Sequence, residues 1–214
     1  MTNLEFINEN KVIAIVRGIG SDKISSLAAA MVKGGLRCIE VTFDHSSEEG
    51  KLNTLKAIEV LAKEFEGEVL AGAGTVLTVE QVEQAAAVGA KYIISPNVNV
   101  NVIKRTKELG LISIPGAMTP SEVVDAYEAG ADIVKLFPAA MFGTGYLKAI
   151  RGPLKHIPMT AVGGISPDNI ADFIAAGAVG VGVGGNLVSP KLVNEGRFDE
   201  ITEIAKSYVE ALAK

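Results

Sequence analysis

Ala131-Asp132-Ile133-Val134-Lys135-Leu136-Phe137-Pro138 reads as a short buried strand, a β-branched and aromatic run closed by a proline. Lys135 stands in its middle. An ammonium there leaves water at high cost unless it is paired or neutral. An edge strand, or a stem that snorkels its head to solvent, would avoid that cost. The rest of the chain decides between these readings.

Outward from this strand the sequence alternates strand-like and helical runs. Strands are expected at residues 12–17, 37–43, 68–72, 92–95, 111–115, 133–137, 159–162 and 179–183. Thr119-Pro120-Ser121-Glu122 and Thr78-Val79-Glu80-Gln81 are capping boxes, and Ser166-Pro167-Asp168 supplies a cap and an acidic first turn. Gly34, Gly89, Gly110, Gly130 and Gly177 each follow a helical stretch, where a left-handed residue stops the helix. This recurrence marks a repeated unit in which helical crossovers join parallel strands. Doubly wound sheets share the pattern, but eight units in 214 residues suit a (β/α)8 TIM barrel better. Residues 1–214 are expected to form a single domain, since no linker or composition shift divides them. A short N-terminal helix over residues 3–10 should cover the lower end of the barrel, and the charged amphipathic run 199–214 should close its outer ring.

Composition narrows the function. Hydrophobic content is 48% and net charge −5, with no basic cluster, which argues against nucleic acid. Charges and glycines interrupt every apolar run before it reaches the length of a membrane span. The first residues lack the basic and apolar regions of a signal peptide, and the one cysteine cannot form an internal disulfide. Both fit a cytoplasmic protein. Cys38, in an apolar strand, reads as a small buried hydrophobe rather than a nucleophile.

Barrel geometry turns sequence positions into directions, because alternate strand residues point inward and active sites gather at the carboxyl ends of the strands. If Lys135 points inward, so do Ile133 and Phe137. The same parity sends Cys38, Glu40 and Thr42 inward on the second strand, and Ile13, Ile15 and Arg17 on the first. Lysine, glutamate and arginine then share one interior. An ordinary lysine amine titrates near ~10.4, so burial and a cation such as Arg17 would raise its neutral, nucleophilic fraction, while Glu40 would oppose them. A buried salt bridge without chemistry is the plain alternative. Val162-Gly163-Gly164-Ile165 and Val183-Gly184-Gly185-Asn186 add bare backbone amides at the ends of the last two strands, where barrels frequently bind phosphate. A short helix beginning near Asn186 would aim its positive end there.

Ile39-Glu40-Val41-Thr42, Gly72-Ala73-Gly74-Thr75, Ile94-Ser95-Pro96, Ile114-Pro115-Gly116, Val134-Lys135-Leu136-Phe137-Pro138 and Gly163-Gly164-Ile165-Ser166 occur in one order along nearly the whole chain. Together they resemble the class I 2-keto-3-deoxy-6-phosphogluconate/4-hydroxy-2-oxoglutarate aldolases and the related 6-phosphogalactonate aldolases. The resemblance implies that Lys135 forms a Schiff base with the substrate ketone and that Glu40 is the general acid/base. It implies that Thr75 contacts the pyruvate carboxylate, with Arg17, Pro96, Phe137 and Val162 around the substrate and Gly163, Gly164, Gly184, Gly185 and Asn186 around its phosphate. It further implies cleavage of a phosphorylated small-molecule 2-keto acid to pyruvate and an aldehyde, without metal or organic cofactor, by a homotrimer.

Some positions depart from the gluconate pattern. Asp44 stands where those enzymes have arginine, Val162 where they have threonine and Asn186 where they have serine. Ala161-Val162-Gly163-Gly164, Val16-Arg17-Gly18 and Ser95-Pro96-Asn97 look closer to the galactonate branch, whereas Val41-Thr42-Phe43 looks gluconate-like. Three rivals stand beside the aldolase reading. One is a metal-dependent lyase liganded by Glu40, Asp44 and His45. Another is a phosphate-binding isomerase or synthase in which Lys135 acts only by its charge. The third is a barrel that binds a sugar acid without turning it over.

Overall fold

Strand pairing in the computed structural model, which describes residues 1–213, runs as one ring of parallel strands wrapped by helices. The strands are β1 (Val12–Val16), β2 (Cys38–Thr42), β3 (Leu70–Gly74), β4 (Tyr92–Ile94), β5 (Ile112–Ile114), β6 (Gly116–Ala117), β7 (Val134–Leu136), β8 (Met159–Val162) and β9 (Gly180–Val183). The helices are α1 (Asn3–Asn10), α2 (Ile24–Lys33), α3 (Glu48–Glu64), α4 (Val79–Ala87), α5 (Val100–Glu108), α6 (Pro120–Glu128), α7 (Ala139–Leu154), α8 (Ile170–Ala175), α9 (Pro190–Asn194) and α10 (Phe198–Leu212). β1 pairs with both β2 and β9, so the first strand lies between the second and the last. That is the pairing of a (β/α)8 barrel.

The fifth barrel position holds two strands where the sequence predicts one. Pro115 has no N–H to give the ladder, and it divides β5, which pairs with β4, from β6, which pairs with β7. The ring still closes. Asp132 and Ile133 donate to the Ser113 carbonyl at 3.0 and 3.3 Å, and Lys135 N–H donates to Pro115 O at 2.8 Å.

The inward–outward parity follows the sequence expectation. Val12, Ala14, Val16, Ile39, Val41, Val134 and Leu136 pack outward into one core with the helices. Ile13, Cys38, Leu70, Tyr92, Ile94, Ile112, Ile114 and Ile133 fill the inside, where Ile7, Leu4 and Phe6 of α1 plug the lower end. Each fully buried aliphatic side chain contributes roughly 1.5–3 kcal/mol, so this double core fixes the register of every strand. α10 closes the outer ring against α2 and α8. Thr202 Oγ1 donates to Ala30 O of α2 (3.0 Å), and Tyr208 OH donates to Ile165 O in the loop before α8 (3.2 Å).

Three local expectations need correction. The left-handed residue after α2 is Gly35 (φ 90°), while Gly34 stays helical, and a Cβ at position 34 would collide with Ala205 of α10. Ser166 does not cap α8, which starts at Ile170 after a turn whose Ser166 N–H donates to Asn169 Oδ1 (2.9 Å). No helix begins at Asn186. Leu187 and Val188 both donate to Gly184 O in a tight turn, and α9 starts only at Pro190.

Candidate active site

The carboxyl ends of the strands surround a cavity of about 440 Å³. Its wall contains Arg17, Glu40, Thr75, Pro96, Lys135, Phe137, Val162, Gly163, Gly164, Gly184, Gly185 and Asn186, the residues that the aldolase resemblance implies for the site, whereas Asp44 and His45 of the metal-lyase rival lie outside it. Ile15, Ile165 and Gly182 complete it. Ile15 is inward as strand parity predicts, and the same parity could have found Gly182, an inward position near the end of β9.

Lys135 is 8% exposed and Glu40 1% exposed. β7 is paired on both sides, with Lys135 opposite Gly116 and Thr160, so its lysine is no edge residue. Burial pushes the Lys135 amine below its ordinary value, Glu40 pulls it up, and Arg17 pushes it down. Burial likewise raises the Glu40 carboxyl, against Lys135 and Arg17, which lower it. Both shifts favour the neutral forms. Lys135 Nζ also lies over the Phe137 ring, 4.9 Å from its centroid.

Glu40 and Lys135 are charge neighbours rather than a closed ion pair. Glu40 Oε2 is buried with no hydrogen-bond partner among the described residues. The carboxyl has its place because β3 offers no side chain beside it. A Cβ at Gly74 would overlap Glu40 Oε1. Gly72, one pleat below, accepts the Tyr92 ring in the same way.

At the far side, Gly163 and Gly164 both adopt positive φ (95° and 75°), and a Cβ at Gly163 would press on the Phe137 ring at 3.2 Å. The N–H groups of Gly164, Gly185 and Asn186 have no protein acceptor among the described residues, so this end of the cavity offers donors. The Asn186 side chain is already engaged, its Nδ2 donating to Ile165 O at 3.1 Å. On the opposite rim Arg17 Nη2 lies 3.5 Å from Thr75 Oγ1.

The ligand set of the metal-lyase rival does not converge. Glu40 is inside the barrel, Asp44 accepts from Ser46 N–H (2.9 Å), and His45 Nε2 faces Thr75 O at 2.8 Å. No group of three or more His, Cys, Asp and Glu residues suited to a metal occurs among the described residues.

A parallel barrel that buries an amine beside a carboxyl at the carboxyl ends of its strands holds the two groups that Schiff-base carbon–carbon lyase chemistry needs, the equipment of a class I aldolase. Residues 4–204 match the family described as "Aldolase: KDPG and KHG aldolase". The chain is 34% identical to the 2-dehydro-3-deoxy-6-phosphogalactonate aldolase of Escherichia coli (strain K12), over 94% of this chain and 96% of that one. It is also 34% identical to the 2-dehydro-3-deoxy-phosphogluconate aldolase of Treponema pallidum (strain Nichols), over 96% and 95%. The structure resembles that of the Legionella pneumophila KDPG aldolase, in which pyruvate was captured as a covalent carbinolamine. Here the TM-score is 0.86 and the identity 28%, with 97% of this chain and 98% of that one covered. The chain belongs to the KDPG and KHG aldolase family.

Proposed function

We propose that this chain cleaves 2-keto-3-deoxy-6-phosphogluconate to pyruvate and glyceraldehyde 3-phosphate, with 4-hydroxy-2-oxoglutarate as a further substrate. Lys135 Nζ attacks the C2 ketone, and loss of water from the carbinolamine leaves a protonated imine. Glu40, directly or through a water, takes the proton of the C4 hydroxyl. The C3–C4 electron pair then moves into an enamine as the C4 aldehyde departs. Protonation at C3 and addition of water to the imine release pyruvate and return the amine. The observation that carries this reading is the Lys135 amine, buried in the cavity beside a buried Glu40 that it does not neutralise.

Thr75 and Arg17 hold the substrate carboxylate, and Pro96, Phe137 and Val162 bound its carbon chain. The phosphate sits against the amides of Gly163, Gly164, Gly184, Gly185 and Asn186. Support for that end is the set of free N–H groups at Gly164, Gly185 and Asn186. The second reading is cleavage of the 6-phosphogalactonate epimer, favoured by one observation: Val162 gives the wall no hydroxyl. We further place the protein in the cytoplasm as a homotrimer without cofactor. Met141 (80% exposed) and Phe142 (48%) offer apolar surface for subunit contact, and sedimentation equilibrium tests the trimer.

Borohydride reduction in the presence of pyruvate, followed by peptide mapping, tests the mechanism. A stable adduct on Lys135 is expected. An adduct on another lysine, or on none, would sink it.

A further inference from the structure

Thr75 is the strained residue of the cavity wall. Its φ of 55° is left-handed, a conformation that a β-branched residue keeps only where its surroundings impose it. Its neighbours are fixed on both sides. Phe43 N–H donates to Gly74 O (2.8 Å), Val76 N–H donates to Ile94 O (3.1 Å), and Ser95 Oγ donates to Val76 O (2.7 Å).

The Thr75 carbonyl takes a different partner, His45 Nε2 at 2.8 Å. A carbonyl only accepts, so Nε2 carries a proton, and in the neutral ring Nδ1 is then an acceptor. Nδ1 faces the Gln81 amide nitrogen at 3.4 Å. That amide is held in one orientation, because its Oε1 accepts from the N–H groups of Leu77 (2.8 Å) and Thr78 (3.2 Å) in the cap of α4. A relay of side chains thus runs from buried Gln81 through His45 to the backbone of Thr75. The Thr75 hydroxyl lies on the other side, toward Arg17.

We infer that His45 is a positioning residue: by holding the Thr75 carbonyl it keeps that residue left-handed and aims its hydroxyl at the carboxylate end of the cavity. The inference rests on the aldolase reading, which places the substrate carboxylate there. Neither His45 nor Gln81 lines that cavity. Their effect on turnover would pass through Thr75.

His45→Ala and His45→Gln separate a positioning role from a merely structural one. Glutamine Nε2 stands the same number of bonds from Cα as imidazole Nε2, so it can donate to Thr75 O, and alanine cannot. In His45→Ala, KM and the pyruvate concentration that half-saturates borohydride trapping are expected to rise about tenfold. Trapping on Lys135 should still reach completion at saturating pyruvate. His45→Gln should return both values to within about threefold of wild type. An unchanged half-saturation in His45→Ala, or no rescue by folded His45→Gln, overturns the inference.

Failure of the aldolase reading looks different, because wild type itself then gives no Lys135 adduct. The relay is judged in that case from nitrogen-15 spectra of a His156→Gln protein, in which His45 is the one histidine left of two. A single Nε2–H tautomer with a slowly exchanging proton supports it. A rapidly exchanging mixture of tautomers sinks it.

Discussion

The Glu40 carboxyl occupies the space that a side chain at position 74 would fill. β2 and β3 run parallel with Thr42 opposite Gly74, so the glycine lies one pleat above Glu40 on the neighbouring strand. A Cβ there meets Oε1, Cδ and Cγ of Glu40 all at once. The carboxyl cannot retreat downward, where the Tyr92 ring already lies over Gly72.

Gly74→Ala should therefore expel the Glu40 carboxyl from its place without touching Lys135. A displacement of about 1 Å in a reacting group can cost about a hundredfold in rate. The expected outcome is a fall in kcat of that order, with borohydride trapping of pyruvate on Lys135 retained but slowed. Near-wild-type kcat in a folded Gly74→Ala enzyme would show that the position of Glu40 does not matter to turnover.

Burial raises the Glu40 carboxyl above the ordinary carboxylate range, against the pull of Lys135 and Arg17. Between the ordinary value and the raised native one, the folded chain keeps a proton that the unfolded chain has lost. Stability contributed by this group therefore falls as pH rises through that window. Glutamine carries no charge and has no such slope. Glu40→Gln should gain thermal stability on wild type as pH increases from about 4, the gap levelling once native Glu40 is ionised. Unfolding midpoints for both proteins from about pH 4 to pH 8 check this. A gap that is constant with pH, or that narrows as pH rises, contradicts the shift. The same variant should trap pyruvate slowly and turn over poorly, which would make Glu40 a residue held for chemistry at the expense of stability.

Cys38 lies inside the lower barrel with no exposed surface, and burial pushes its thiol up to about 12. The reactive thiolate is then scarce at neutral pH. A thiol-alkylating reagent is expected to leave the native protein unmodified and to label Cys38 fully after denaturation. Fast labelling of the folded protein would place the thiol outside the barrel core.

The cavity residues were legible in the sequence because a barrel strand imposes a period of two on an apolar background. A lysine at position 135 and a glutamate at position 40 break that background at inward positions, and glycine pairs mark the strand ends. Other features leave no such mark. Pro115 reads equally well as the last residue of one strand or as the gap between two, and only the closure of the ring decides. The turn after β9 looks like a helix start, but two amides held by Gly184 O delay α9 to Pro190. The left-handed Thr75 is the furthest from view. Its conformation is imposed by contacts from Phe43 just beyond β2, from Ile94 of β4 and from His45, and the His45 bond spans thirty residues of sequence.

Val162 is the wall residue that bears on the choice between the two C4 epimers. β9 makes room for it: a Cβ at Gly182 would stand 2.9 Å from Val162 Cγ2, so the glycine lets the isopropyl group take its place in the cavity wall. Threonine has nearly the same shape and adds one hydroxyl that can donate or accept. By resemblance the gluconate-type enzymes carry threonine here. Val162→Thr should therefore shift the ratio of kcat/KM values toward the phosphogluconate epimer over the phosphogalactonate one. One neutral hydrogen bond contributes ~0.5–1.5 kcal/mol, which corresponds to a shift of roughly two- to tenfold. Because the pyruvate half of the substrate is common to both epimers, borohydride trapping with pyruvate should be unchanged in the variant. An unaltered ratio, or a shift toward the galactonate epimer, would mean that other residues select the C4 configuration.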